Sequence, residues 1–242
     1  MCTVSFIASH NKQIITSNRD ENTLRPKAFQ PKKELINNCN VVYPKDPKAG
    51  GTWFAINEYN MAAVLLNGAF QKHIPEKSYS KSRGLILLEI ITNPTPVFHF
   101  SLMSLETIEP FTLILFQYPL LLELRWDGKQ KFKKQLDATQ NYIWASSTLY
   151  SQEVIAKREK SFYDFIKTEN NLDENSIVNF HSNNHNDNQN GIIINRENKM
   201  KTFSITQAIF EIEHTLLTHF DLFENSKETI SITQNTSNFQ LQ

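Results

Sequence analysis

The sequence predicts an α+β domain in which sheets pack against one another and helices cover their outer faces. Three observations carry that expectation. Segments follow the order strands, helices, strands, helices, strands; their apolar residues recur with period two in the first kind and with a helical period in the second; and the 242 residues show no internal repeat, a length suited to one domain spanning 1–242.

The N-terminal third alternates in strand fashion through CTVSFIAS, QIITSNRD and TWFAINEYNMAAVLLN, with Asn-bearing breaks that suggest two successive hairpins. From Ser82, a candidate N-cap, the period becomes helical, with Leu85, Leu88 and Ile91 on one stripe before Pro94. A second helix is expected from Val97 to Met103. Strands return in FTLILF, LLLELRW and KQKFKKQL, the last two joined by a turn at Asp127-Gly128, and then in NYIWASS. A long amphipathic helix is expected from Ser151 to Lys167 and a short one from Asp173 to Phe180, capped by Asp173. The Asn-biased SNNHNDNQNG reads as an exposed loop or a locally disordered link. GIIINRE and MKTFSITQAIFEIEH are expected as a last strand pair, with ETISIT as one further edge strand before the chain frays.

Charge is balanced, 25 Lys and Arg against 25 Asp and Glu, so no basic field gathers nucleic acid or an anionic membrane. The first ten residues lack a secretory pattern, and the longest apolar run, Phe111 to Leu122, is too short to span a bilayer, so a cytoplasmic protein without membrane insertion is expected. Two cysteines, Cys2 and Cys39, are too few for a disulfide framework or a four-cysteine zinc site. Cys39 has no charged neighbour in sequence and reads as structural. No cofactor is expected, for the six glycines hide no phosphate loop. His181 and His185 stand four apart but lack supporting carboxylates, so no metal site is expected. The 17 Phe imply an aromatic-rich core. The cluster Ser80-Lys81-Ser82-Arg83-Gly84 is read as a helix cap, with anion capture by free N–H groups as the other reading.

Cys2 is the residue expected to do chemistry. A turn at His10-Asn11-Lys12 places it opposite Asp20 on the paired strand, and a change of one residue in loop length moves its partner only to Arg19 or Glu21. A thiolate is the nucleophilic form of cysteine, and a neighbouring Arg favours it. Met1 precedes a small residue and is a candidate for removal. Cys2 would then carry an α-amine of ordinary pKa about 7.7 to 8.0, a base suited to its own thiol. Asn67, at the end of MAAVLLN and ahead of Gly68, is the candidate donor to an oxyanion.

MCTVSF, SNRDEN, AGGTWFAIN and VLLNG occur here in one order, and WASSTLYS, Lys157-Arg158 and KTFSITQ continue the pattern. Together they resemble the NRDE family, also called the transport and Golgi organisation protein 2 family. The resemblance implies a four-layer αββα sandwich similar to that of the N-terminal-nucleophile hydrolases, and more distantly a likeness to choloylglycine and penicillin V acylases. It implies Cys2, Arg19, Asp20 and Asn67 as catalytic candidates, and Asn18, Glu21, Trp53, Ser146 and Arg158 as binding candidates. The pattern departs from the acylases where Arg19 adjoins Asp20 and where Ser146 stands at the place of a later Asn. Two functions follow as expectations. One is an amidase that cleaves a non-peptide amide of a small molecule through Cys2; the other is a binding or trafficking protein for a hydrophobic ligand, haem or a lipid or acyl-CoA.

Overall fold

Strand alternation sorts the N-terminal hairpin into two faces, one for each layer that covers it. In the computed structural model, which describes residues 3–9 and 12–235, β1 (Thr3–Ser9) and β2 (Lys12–Asn22) pair antiparallel. Val4, Phe6 and Ile15 turn toward a second sheet, while Ile7 and Ile14 turn toward helices. Thr3 lies opposite Asn18, one residue away from the expected pairing, because Ser9 already pairs with Lys12 and only residues 10 and 11 connect the strands. Cys2 and the His10-Asn11 part of the predicted turn lie outside the described residues.

The chain continues through β3 (Phe29–Ile36), β4 (Cys39–Lys45), β5 (Phe54–Asn57) and β6 (Met61–Asn67) to α1 (Arg83–Ile91) and α2 (Pro96–Leu102). Next come β7 (Phe111–Gln117), β8 (Leu120–Trp126), β9 (Lys131–Asp137) and β10 (Tyr142–Ala145), followed by α3 (Gln152–Thr168) and α4 (Glu174–His181). The remainder comprises β11 (Asn195–Arg196), β12 (Met200–Phe210), β13 (His214–Asp221) and β14 (Ser226–Thr233). One antiparallel sheet has the order β10-β1-β2-β12-β13-β14, with β11 beside β12, and the other runs β3 to β9 in sequence order.

Helices α1 and α2 cover the second sheet, burying Leu87, Ile90, Ile91 and Phe100 against Ala63, Leu65 and Leu113. Between the sheets Phe6, Phe116 and Phe210 interlock, with ring centroids 5.2 Å and 4.8 Å from Phe116. On the first sheet α3 and α4 bury Phe162, Ile177 and Phe180 against Ile7, Ile14 and Ile209. The layers are therefore helix, sheet, sheet, helix, the sandwich expected from the sequence. Each fully buried aliphatic or aromatic side chain contributes roughly 1.5–3 kcal/mol of transfer free energy. The caps agree as well: Ser82 Oγ accepts from Leu85 N–H, Ser151 Oγ from Val154 N–H, and Asp173 closes a capping box with Ser176.

Other expectations needed correction. The run GIIINRE contributes only the two residues of β11, because the backbone before it turns to other partners: Ile193 N–H donates to Asn183 C=O at 3.2 Å and Ile194 N–H to Thr202 Oγ1 at 2.9 Å. MKTFSITQAIFEIEH is β12 plus a tight turn in which Glu211 N–H donates to His214 C=O, and its last residue opens β13. The SNNHNDNQNG segment is built by its own polar groups. Asp187 Oδ1 accepts from the N–H groups of Gln189 and Asn190, and Asn184 Nδ2 donates to Asn188 Oδ1. A Cβ at Gly191 would lie 2.1 Å from Asn184 O, so only glycine fits there.

Candidate active site

Period two also divides the SNRDEN segment. Arg19 and Glu21 face the second sheet, whereas Asn18 and Asp20 face the helices. On the inner side a cavity of about 240 Å³ is walled by Arg19, Glu21, Trp53 and Asn67. Four of the nine residues singled out from sequence thus converge on one space. Arg25, Asp46, Arg83 and the Gly51 and Gly84 backbones complete it.

Arg19 is 1% exposed and stacks its guanidinium carbon 4.6 Å from the Trp53 ring centroid and 5.5 Å from that of Phe203. Such a contact is worth about 1–2 kcal/mol when desolvated. Arg19 Nη2 donates to Asp46 Oδ2 at 2.8 Å, and Arg25 Nε donates to the same oxygen at 2.9 Å. Asp46 Oδ1 accepts from the N–H groups of Lys48 and Ala49, which holds the DPKA turn closed. Burial works to raise the Asp46 carboxyl, but the Arg25 hydrogen bond, the Ala49 N–H and both guanidiniums outweigh it and hold the group below its ordinary range. Burial likewise pulls the Arg19 pKa down against Glu21 and Asp46, and the guanidinium stays charged. Glu21 stands 3.8 Å from Arg19 and 3.6 Å from Arg25.

Asn67 closes β6, where the strand passes into Gly68 at φ +81°. Its side-chain Oδ1 is buried without a hydrogen-bond partner, while its backbone carbonyl accepts from Ser146 Oγ at 2.8 Å. Ser146 therefore fixes the peptide of the candidate oxyanion donor and leaves its amide uncommitted. The two sheets meet here: β1 begins at Thr3, between Asn18 on one side and Ala145 on the other. Arg19 follows Asn18 and Ser146 follows Ala145 on the two strands that pair with β1.

On the helix side Asp20 accepts from Tyr150 Oη at 2.7 Å and from Thr202 Oγ1. Arg158 of α3 packs 3.6 Å over the Tyr150 ring, donates to Thr3 Oγ1 and to Gly191 O, and reaches Asn190 O at 3.2 Å. It ties β1 to the Asn-rich turn. Asn18 points away from the cavity into a buried chain: its Nδ2 donates to His181 C=O at 2.9 Å, its Oδ1 meets His181 Nδ1, and His181 Nε2 lies 2.7 Å from Ser5 Oγ. Cys2, which precedes Thr3, lies outside the described residues.

His181 is fully buried, and burial with the nearby Arg158 charge lowers its pKa to about 3, so it is a neutral link between layers. His185 lies on the exposed turn, where its N–H donates to Asn183 Oδ1 at 2.7 Å. Cys39 is buried, and burial together with Glu58 pushes its thiol up to about 12, which leaves it inert. Asp46 and Arg25 were missed in the sequence, although the Asp-Pro turn before AGG signals a fixed side-chain acceptor. His219, also missed, lies against Trp53 with ring centroids 6.0 Å apart and donates to or accepts from Thr206 Oγ1 through Nδ1 at 2.8 Å.

The architecture is that of the N-terminal-nucleophile hydrolases. An N-acylethanolamine-hydrolyzing acid amidase ortholog of Caenorhabditis elegans is similar over 85% of this chain and 92% of its own, with a TM-score of 0.57 and 12% identity. The C2A mutant of conjugated bile acid hydrolase from Clostridium perfringens is matched over 97% of each chain, with a TM-score of 0.49 and 11% identity. Within that architecture the chain belongs to the Transport and Golgi organisation 2 family, whose model matches residues 1–237. No curated protein sequence matches it. No helix among the described residues is long and apolar enough to cross a membrane.

Proposed function

We propose that the protein is an amide hydrolase that uses Cys2 as its nucleophile on a non-peptide C–N bond of a small molecule. The observation that carries this reading is the convergence of Arg19, Trp53 and the uncommitted amide of Asn67 on one cavity. Cys2 is one peptide unit from Thr3, whose Cα it can leave by only about 3.8 Å. In the proposed reaction the Cys2 α-amine takes the thiol proton and Sγ attacks the amide carbon. Asn67 Nδ2 donates to the resulting oxyanion. The C–N bond then breaks, the amine leaves with the proton from the α-ammonium, and water cleaves the thioester to release the acid and restore the thiol. Arg19 favours the thiolate, and Asp20, held by Tyr150 and Thr202, orients the ammonium.

Intact-mass analysis of protein from its native host tests the first requirement, with Cys2 expected at the N-terminus. Incubation with N-acyl amides should then give a covalent acyl adduct on the native chain and none on Cys2→Ala. Retention of Met1 in an active protein would falsify the α-amine mechanism.

A second reading is favoured by a separate feature. A groove of about 320 Å³ between α2 and β9 is lined by Val97, Phe98, Phe100 and Phe132 together with Lys131 and Lys133. It suits a hydrophobic ligand with an anionic head, as in a carrier of haem or acyl-CoA. Binding of haem or palmitoyl-CoA by Cys2→Ala, with no turnover of amide or thioester by the native chain, supports the carrier.

A further inference from the structure

We propose that the cavity walled by Arg19 and Trp53 is a receptor for a compact anion, a carboxylate or phosphate borne by the substrate. This rests on reading the cavity as the substrate site and does not require Cys2 to turn over. Three independent features of the cavity point the same way.

Helix α1 starts at its wall. Ser82 Oγ takes the N–H of Leu85, whereas the first-turn N–H groups of Arg83 and Gly84 have no intrahelical acceptor. The helix end is held there by backbone contact, since a Cβ at Gly51 would lie 2.4 Å from the Gly84 carbonyl carbon. An oriented helix N-terminus attracts anions.

Two buried donors are free in the same space. Arg19 and Trp53 are each 1% exposed, and Arg19 Nη1 and Trp53 Nε1 have no partner. Buried polar groups are normally satisfied, and a free guanidinium N–H beside a free indole N–H costs stability unless a ligand accepts from both. The planar fork of Arg19 uses Nη2 on Asp46 and keeps Nη1 for a second acceptor.

The charges lining the cavity are three guanidiniums, Arg19, Arg25 and Arg83, against two carboxylates, Glu21 and Asp46. Both Asp46 oxygens are engaged, one by the two arginines and one by backbone N–H groups. Arg83 pairs outward with Glu109 at 2.9 Å. The lining itself carries one more positive than negative charge, and its unused groups are the donors of Arg19 and Trp53 and the amide of Asn67, whose oxygen and nitrogen ends can exchange places by a flip. The cavity's volume of about 240 Å³ suits a small head group rather than an extended chain.

The test uses the ¹⁵N-labelled full chain carrying Cys2→Ala, titrated with sodium propionate and separately with sodium phosphate at constant ionic strength. Its three tryptophans give three indole N–H signals, and loss of one in Trp53→Phe assigns Trp53. The Trp53 signal is expected to move saturably with at least one anion. Trp126 and Trp144, whose Nε1–H groups are already bonded to Ile108 O and Glu123 Oε2, should stay put. Whichever anion saturates at the lower concentration names the head group. Arg19→Lys, which keeps the charge for Asp46 but loses the fork, should weaken the response about tenfold. A Trp53 signal that ignores both anions, or follows chloride equally, overturns the proposal without reference to any variant. So does a folded Arg19→Lys that binds as tightly as its parent. Because Cys2 is absent throughout, failure here leaves the acyl-adduct experiment to judge the amidase reading alone.

Discussion

Arg19 and Asp46 form a buried ion pair at 2.8 Å in which the carboxylate also serves Arg25 and closes its own turn. Asp46→Asn keeps the turn acceptor but uncouples two guanidiniums, one of them almost wholly buried. Its expected cost is about 3 kcal/mol, the scale of breaking a buried pair from one side. Asp46→Ala also loses the turn and should cost about 1 kcal/mol more. Equilibrium urea denaturation of both variants checks the order, and equal stabilities would refute the division of labour.

On the amidase reading, Asn67→Ala should lower kcat about 10²- to 10³-fold, the usual loss of one oxyanion donor. Its melting temperature should be almost unchanged, because the Asn67 side chain makes no hydrogen bond that the alanine would break. Steady-state kinetics beside a thermal melt separate the two effects. Ser146→Ala, by contrast, loses the hydroxyl that holds the Asn67 carbonyl and should show a smaller loss of kcat, about tenfold.

Two buried histidines set an acid limit. Burial, reinforced by Arg158, puts His181 at about 3, and burial, with Asp221 opposing it and Arg19 assisting it, puts His219 at about 4. Both values lie below the unfolded value of about 6.5, so on acidification the unfolded chain binds protons first. Their contribution is complete above about pH 6.5 and falls through pH 5 toward pH 3. By pH 5 the loss is about 2 kcal/mol for each. Denaturation midpoints between pH 7.5 and pH 5 should fall steeply, and less so in His181→Gln, whatever its stability at pH 7.5.

Gly84→Ala should cost about 3 kcal/mol, because the added Cβ would meet Thr52 O at 2.6 Å and Thr52 N at 2.8 Å, backbone atoms that cannot swing aside. Gly50→Ala, one residue before the contact, finds open space but has φ +71°, and should cost only about 1 kcal/mol. A chemical-denaturation comparison decides it, and a mild Gly84→Ala would contradict the close approach.

The sequence exposed what depends on neighbours along the chain. Ser82, Ser151 and Asp173 mark helix starts through side-chain acceptors, and MAAVLLN reads as a strand because both its faces are buried. It concealed β3 and β4, whose charged Lys32, Lys33 and Glu34 break the apolar alternation, although Asn37 and Asn38 at φ 52° and 59° make a turn that two adjacent Asn could have signalled. It concealed β13 because the turn at Glu211 to His214 contains neither Gly nor Pro. In the site, Arg19, Glu21, Trp53 and Asn67 were legible from their motifs. Asp46 was not, and Arg83, read with its neighbours as a helix cap or an anion site, could not be tied to the others, since both join them only when Gly51 meets Gly84 across the fold. The separation of Arg19 from Asp20 onto opposite faces was implicit in the two-residue period.

The meeting of Gly51 with Gly84 has a consequence for how this pocket could acquire a new preference. Its back wall is main chain against main chain, and no side chain there can be enlarged or trimmed. Change falls to the partly exposed lining, where Arg25 and Ala49 stand. A lineage exploring new ligands would vary those positions while the scaffold behind them stays silent.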